Sequence, residues 1–136
     1  MTPIRMQRVE TGVRTILAFT DALNHHDLQA MMKLVRDDCV FEAPTPDPDG
    51  TVYNGKSALS QYWQTFLDLK PGVHLKIEES IGYGLRSIIL WRCDWTDTSG
   101  QAFLQRGVDL FRVQNGLIVE HLSYIKACIS LNQERG

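Results

Sequence analysis

The chain lacks a strong charge of either sign, a cysteine framework and any long apolar run. Lysine and arginine number 14 and aspartate and glutamate 16, a formal net charge of −2 over 136 residues. That balance offers no electrostatic footprint for nucleic acid or for an anionic membrane surface. Cys39, Cys93 and Cys128 are an odd number at wide spacing. They fit neither a zinc pattern nor a secreted disulfide scaffold, and each is expected to be a reduced, buried thiol. No apolar stretch approaches the roughly 20 residues of a membrane-crossing helix. Residues 1–10 contain no apolar core of signal-peptide length. The expectation is a soluble, cytoplasmic protein with no nucleic-acid or membrane partner. At this length the prior is one domain, spanning 1–136, with a core that needs no metal or disulfide staple.

The first half of the sequence has helical periodicity. Thr2 and Pro3 suit a helix start, and Val9, Val13, Ile16, Leu17 and Leu23 recur at helical spacing. His25 and His26 break that pattern, and Asp27 is placed to cap a short second helix carrying Leu28, Met31, Met32, Leu34 and Val35. Adjacent histidines converge poorly on one ion, so no metal site is expected there. A short strand over 39–43 leads into three prolines within residues 44–50, which demand a loop. After Asn54-Gly55, a third helix is expected over 56–69, stopped by Pro71-Gly72. The second half alternates and is rich in β-branched and aromatic residues, predicting strands over 73–83, 87–97, 102–113 and 117–127. Three helices followed by a meander of long strands is an α+β architecture, with the helices covering one face of the sheet.

Ala22-Leu23-Asn24, Asp37-Asp38-Cys39-Val40-Phe41, Tyr53-Asn54-Gly55-Lys56, Gly107 to Val113, Asn115 to Ile118 and Tyr124 together form a pattern that resembles the SnoaL-like, polyketide cyclase-like branch of the nuclear-transport-factor-2-like (NTF2-like) superfamily. Ketosteroid isomerases and limonene epoxide hydrolases are relatives of that branch. The resemblance implies a cone-shaped, strongly curved antiparallel sheet whose concave face is covered by the three helices. It also implies a pocket for a small, mostly apolar or amphipathic organic molecule, and acid–base chemistry without a cofactor. The ketosteroid isomerase pattern places its oxyanion-hole aspartic acid on Asp109, its general base on Ala43 and its oxyanion tyrosine near Phe19. The epoxide hydrolase pattern places an Arg-x-Asp pair on Arg92 and Asp94 and its second aspartate on Ser123. Steroid isomerisation and hydrolysis by paired aspartates are therefore incompletely equipped. A non-catalytic ligand-binding or dimerisation module of the same fold is the alternative.

Side chains alternate faces along a strand. With Asp109 inside the cone, Phe111 is inside too, and the resemblance adds Arg92, Asp94 and Ser123. The hairpin at Asn115-Gly116 allows two registers. A two-residue loop pairs Gln114 with Leu117 and sets Asp109 opposite Leu122. A three-residue loop pairs Val113 with Leu117 and sets Asp109 opposite His121; the resemblance favours this one. Asp109, His121 and Asp94 are then the candidate catalytic residues. An imidazole oriented by a carboxylate is a proton acceptor; a protonated Asp109 would instead donate to an oxyanion. In the plainer reading Asp109 and His121 only satisfy each other. Arg92, Phe111, Tyr53, Trp63, Phe19 and Ser123 are the candidate ligand contacts, and each aromatic among them doubles as a core candidate. The opposite sheet face, with Trp91, Trp95, Leu110, Leu122 and Tyr124, is expected to pair with a second copy in a homodimer.

Overall fold

The computed structural model describes residues 3–126 and 129–131, with side chains for 11–126, 130 and 131. Thr2, Cys128 and the side chain of Val9 lie outside the described residues. The chain runs α1 (Pro3–Asn24), α2 (Leu28–Lys33), β1 (Val35–Ala43), β2 (Thr51–Asn54), α3 (Lys56–Leu69), β3 (His74–Tyr83), β4 (Arg86–Thr96), β5 (Ala102–Gln114), β6 (Leu117–Ile125) and β7 (Ile129–Ser130). Helix α1 stops where His26 takes a positive φ of 56°. The amides of His26 and Asp27 then turn back to the carbonyls of Leu23 and Ala22, satisfying the last turn. Asp27 caps the next helix by accepting from the Ala30 amide at 3.0 Å.

Helix α2 is shorter than its apolar pattern predicts. Val35 leaves the helix to pair with Ile118 of β6, and the Ile118 amide donates to the Leu34 carbonyl. A long-range strand pairing overrides local helical spacing here. Leu17, expected inward, is 47% exposed.

The sheet order is β2-β1-β6-β5-β4-β3, with β7 paired to the start of β5. β3 through β6 form the expected antiparallel meander. β1 joins β6 in parallel, which makes the sheet mixed. Register shifts interrupt β3 after Ile77, the β5–β6 ladder after Arg112 and β1 after Val35. Such irregularities bend a sheet and tighten its twist. The bent sheet wraps α1, which packs on β3, β4, β5 and β6, and α3, which packs on β1 and β2. Between them lies a core centred on Phe41, Phe111, Ile16, Met31, Leu59 and Ile118, all essentially inaccessible.

The β5–β6 hairpin has the two-residue loop, with Gln114 opposite Leu117 and both Asn115 and Gly116 at positive φ, 52° and 76°. One extra residue, Val119, then bulges out between the pairs Val113↔Ile118 and Arg112↔Glu120. Asp109 therefore lies opposite Ser123, and His121 lies opposite Phe111. Neither register expected from the turn occurs. The bulge nonetheless restores the parity that keeps His121, Ser123 and Ile125 on the face of Asp109.

The facing of β4 is the reverse of the expectation. Asp109 pairs with Ile89, so Ile89, Trp91, Cys93 and Trp95 share the inner face with it. Arg92 and Asp94 are exposed on the outer face. Trp91 and Trp95 therefore do not belong to the outer surface. That surface carries Ile88, Leu90, Val108, Leu110, Leu122 and Tyr124.

Candidate functional site

A cavity of ≈ 190 Å³ opens between α3 and the inner faces of β4, β5 and β6. Its walls are mostly aromatic and aliphatic: Phe41, Tyr62, Trp63, Phe66, Leu75, Trp91, Trp95 and Ile125. All three tryptophans of the chain line it. The polar lining consists of Thr45, Tyr62, Lys70, Gln105, Asp109 and Ser123. Among the described residues, charge enters this lining at Lys70 and Asp109. Helix α3 buries the stripe Leu59, Trp63 and Leu67 against the core, which turns Tyr62, Trp63 and Phe66 to the cavity.

Asp109 is 7% exposed and held by three side chains. Its Oδ1 accepts from the Trp91 indole N–H at 2.8 Å and from the Ser123 hydroxyl at 2.7 Å. Its Oδ2 lies 2.7 Å from His121 Nε2. An indole nitrogen only donates, so Oδ1 is an acceptor and the shared proton of the pair lies between Oδ2 and Nε2. Burying a carboxylate without partners would be strongly unfavourable, and these three bonds offset it.

His121 is itself buried, at 3% exposure, and does not line the cavity. Its ring is sandwiched between Phe111, at 4.1 Å and 23°, and Phe41, at 4.6 Å and 37°. Asp109 stands between the imidazole and the cavity. The two do meet, but in the order cavity, carboxylate, imidazole. His121 is linked to the cavity by its hydrogen bond to Asp109 and by ring contacts with Phe41 and Trp63, which also line it.

The other expected site residues divide. Trp63 and Ser123 line the cavity. Phe111 and Phe19 are core residues: Phe111 stacks on His121, and Phe19 sets its edge against Trp63 at 5.7 Å. Tyr53 stacks on Phe41 and borders an outer groove rather than the cavity. Arg92 and Asp94 lie on the far side of the sheet, so neither anchors a ligand in this cavity; a charged side chain there stays in water instead of facing an aromatic wall. Ala43, in the place of the relatives' general base, is 1% exposed.

Several lining residues were not expected from the sequence. Trp91 holds Asp109, and Gly107 stands directly opposite it on β5. A Cβ at Gly107 would lie 2.4 Å from the Trp91 ring. A glycine facing a tryptophan across two strands is the signal that could have revealed this close approach. Tyr62 is a second addition. Burial, with lesser contributions from Tyr53 and Asp109, pushes its phenol above the ordinary value, so it remains a donor. Lys70, at the C-terminal end of α3, lies over Phe66 at 4.5 Å and Trp95 at 5.0 Å.

The model of the SnoaL-like domain family matches residues 16–121. No curated protein matches the sequence. Among solved structures, an NTF2-like protein of unknown function from Mesorhizobium loti is 35% identical, with 88% of this chain covering 94% of that one at a TM-score of 0.74. A Mycobacterium tuberculosis protein in complex with estradiol-17β-hemisuccinate is 20% identical, with coverages of 88% and 98% and a TM-score of 0.77. An LEH-like epoxide hydrolase of M. tuberculosis is 17% identical, with coverages of 87% and 84% and a TM-score of 0.74. The last two share the fold at low identity. From the family match over most of its length and the relationship to the M. loti protein, this chain belongs to the SnoaL-like family of the NTF2-like superfamily.

Proposed function

We propose that the chain binds a small, mostly apolar organic molecule in the cone and offers it Asp109 as the acid–base group of a cofactor-independent reaction of the isomerase, cyclase or hydrolase kind. One observation carries this reading: a carboxylate, fixed by Trp91, Ser123 and His121, lines a cavity whose walls are mostly apolar. Convergent polar groups in an apolar pocket are the usual mark of a ligand site. A cavity of about 150 Å³ lined by apolar side chains holds a benzene, so this one suits a ring system of modest size. Asp109 is the group that would touch the reacting atom, accepting a proton from a hydroxyl or an acidic C–H. His121 would position it and share the charge from behind, and Tyr62 would donate to a carbonyl oxygen. The ligand of the M. tuberculosis neighbour, an estradiol ester, is consistent with a site for a ring-containing molecule.

The test is proton exchange in deuterated buffer with 2-tetralone, a bicyclic ketone with an acidic C–H, followed by NMR. The wild type should accelerate exchange, and Asp109→Asn should return it to the buffer rate while still quenching in the cavity's tryptophans reports binding. Binding without acceleration in the wild type would support the second reading, a non-catalytic carrier. Alanine in the place of the relatives' general base favours that reading.

A second copy is proposed to cover the outer sheet face. Ile88, Leu110 and Leu122 form one row across it, and Leu90, Val108 and Tyr124 the next. Among the described residues no helix packs there. Contiguous apolar surface of this kind marks an interaction site.

A further inference from the structure

Resting on the reading that a second copy covers the outer sheet face, we infer that two reciprocal ion pairs set the register of that dimer, Arg112 of each copy with Glu42 of the other. Both residues belong to the outer face. Arg112 stands opposite Arg86 and Glu120, and Glu42 stands opposite Leu122. Both are half-buried. Arg112 Nε is closed off from water and has no hydrogen-bond partner among the described residues. The carboxylate opposite it, Glu120, is taken by Arg86, which reaches across β5 to bond it. Glu42 has no cation on it among the described residues. Asp47 and Asp49 border the same groove as Glu42 and add negative charge beside it. The face thus carries one unpaired half-buried charge of each sign, on opposite sides of β6.

A cover over Leu110 and Leu122 takes water from both groups. A charge stripped of water without a partner is strongly unfavourable, and an opposite charge bonded to it offsets the loss. The other outer-face carboxylates, Glu79 and Asp94, are exposed and keep their water. Within one copy the side chains of β6 lie between Arg112 and Glu42. The two residues are two strands apart, about 10 Å, and one row apart along the strands, roughly 7 Å, hence about 12 Å between backbones. A two-fold axis lying in the interface, at right angles to the line joining them, crosses β6 between Glu120 and Leu122. It sets Arg112 of each copy over Glu42 of the other, as an isologous contact requires. On the strand lattice the same axis continues over β5 between Leu110 and Val108. The apolar rows then meet their own copies along the axis, and the ion pairs flank them. The operation also brings Arg86 toward the loop of Asp47 and Asp49, again with opposite sign.

The test is sedimentation equilibrium of the intact chain with Arg112→Glu and Glu42→Arg, each alone and then mixed. Each variant alone sets two like-charged pairs face to face and should dimerise at least about tenfold more weakly than wild type. An equimolar mixture should recover the dimer, because every mixed dimer holds two pairs of opposite charge. Recovery on mixing also shows that both variants fold. If a charge reversal unfolds the chain, Arg112→Gln and Glu42→Gln take its place; each should weaken the dimer, and together they should lose less than the sum. Dimers of Arg112→Glu as tight as wild type would overturn the pairing and leave the dimer standing. Two folded variants that stay monomeric on mixing, or additive losses in the glutamine pair, would do the same. A wild type that never dimerises would remove the second copy itself, and this inference with it.

Discussion

The Trp91 indole N–H donates to Asp109 Oδ1 at 2.8 Å across the β4–β5 ladder, although the two residues are not register partners. The partner of Asp109 is Ile89, and the partner of Trp91 is Gly107. The indole leans over the bare Cα of Gly107 to reach a carboxylate two residues further along β5. The position of this cavity-lining carboxylate thus depends on the absence of a side chain at Gly107.

Gly107→Ala tests that dependence. The added Cβ would lie 2.4 Å from the Trp91 ring and 2.5 Å from the Tyr124 carbonyl oxygen. Neither the buried ring nor the backbone of β6 has room to yield. Overpacking of this kind costs about 1–3 kcal/mol, to be read from urea unfolding. Trp91→Phe should lose a similar amount, about 1–3 kcal/mol, by deleting a charge-assisted hydrogen bond in a buried site. Both variants should also weaken ligand quenching of the remaining tryptophans. Gly107→Ala at full stability would mean that the ring is not confined as described.

His121→Phe separates positioning from packing. Phenylalanine keeps the sandwich between Phe111 and Phe41 but leaves Asp109 Oδ2 without its imidazole. An unpaired buried acceptor costs about 1–3 kcal/mol. In a double-mutant cycle with Asp109→Asn, the two changes should be non-additive by at least about 0.5 kcal/mol. Additive losses would show that the 2.7 Å contact contributes nothing to folding.

Much of this arrangement was legible in the sequence, and the failures have physical causes. Helix α3 matched its periodicity over Lys56–Leu69, because the Asn54-Gly55 turn, the apolar stripe and the Pro71-Gly72 stop all agreed. The resemblance placed Asp109 inward, and strand alternation then carried Phe111 to the same face. On β4 the expected facing was reversed: Ile89, Trp91, Cys93 and Trp95 turn in, and Arg92 and Asp94 turn out to water. The Arg-x-Asp likeness to the epoxide hydrolases pointed the other way, and desolvating two charges against an aromatic wall decides against it. The register of β6 was not legible. Asn115-Gly116 specifies the two-residue turn, but the extra residue at Val119 answers to tertiary packing, since its side chain is buried at 8% exposure. Lys70 gave no signal either, because a lysine at a helix end is ordinarily a solvated charge.

The cysteines give a pH-dependent prediction. Burial foremost, then the charge of Asp38, pushes the Cys39 thiol up to about 12. The folded state therefore keeps its proton where the unfolded chain, with a thiol near ~8.5, loses it. This contribution to stability is fully present below about pH 8.5 and is lost as pH rises toward 12. Unfolding curves should show falling stability above about pH 8.5, with the slope reduced in Cys39→Ala. Native alkylation at pH 8 should spare Cys39 and the equally buried Cys93. On the acid side, Asp97 is held below its ordinary range by the Ser99 hydroxyl and the Gln101 amide. Its contribution is present above about pH 4 and disappears as pH falls through its lowered folded value. Rapid native labelling of Cys39 would refute the burial described for it.

The outer face gives the last prediction. The rows Ile88–Leu110–Leu122 and Leu90–Val108–Tyr124 abut one another, and Tyr124 is 54% exposed. Charged residues flank them: Arg86 is bonded to Glu120, and Arg106 lies 3.9 Å from Glu78. An apolar centre with a charged rim is the composition of a self-complementary interface. Sedimentation at micromolar concentration should give a dimer, and the melting temperature should rise with protein concentration by mass action. Leu110→Lys lies at the centre of the patch, on the face away from the cavity. It should yield a monomer that still binds 2-tetralone, because Asp109, Trp91 and Ser123 all belong to one copy. A wild type that sediments as a monomer at every concentration would remove the second copy from the outer face. A Leu110→Lys monomer that no longer binds would instead tie the cavity to the dimer, through the strand that Leu110 shares with Asp109.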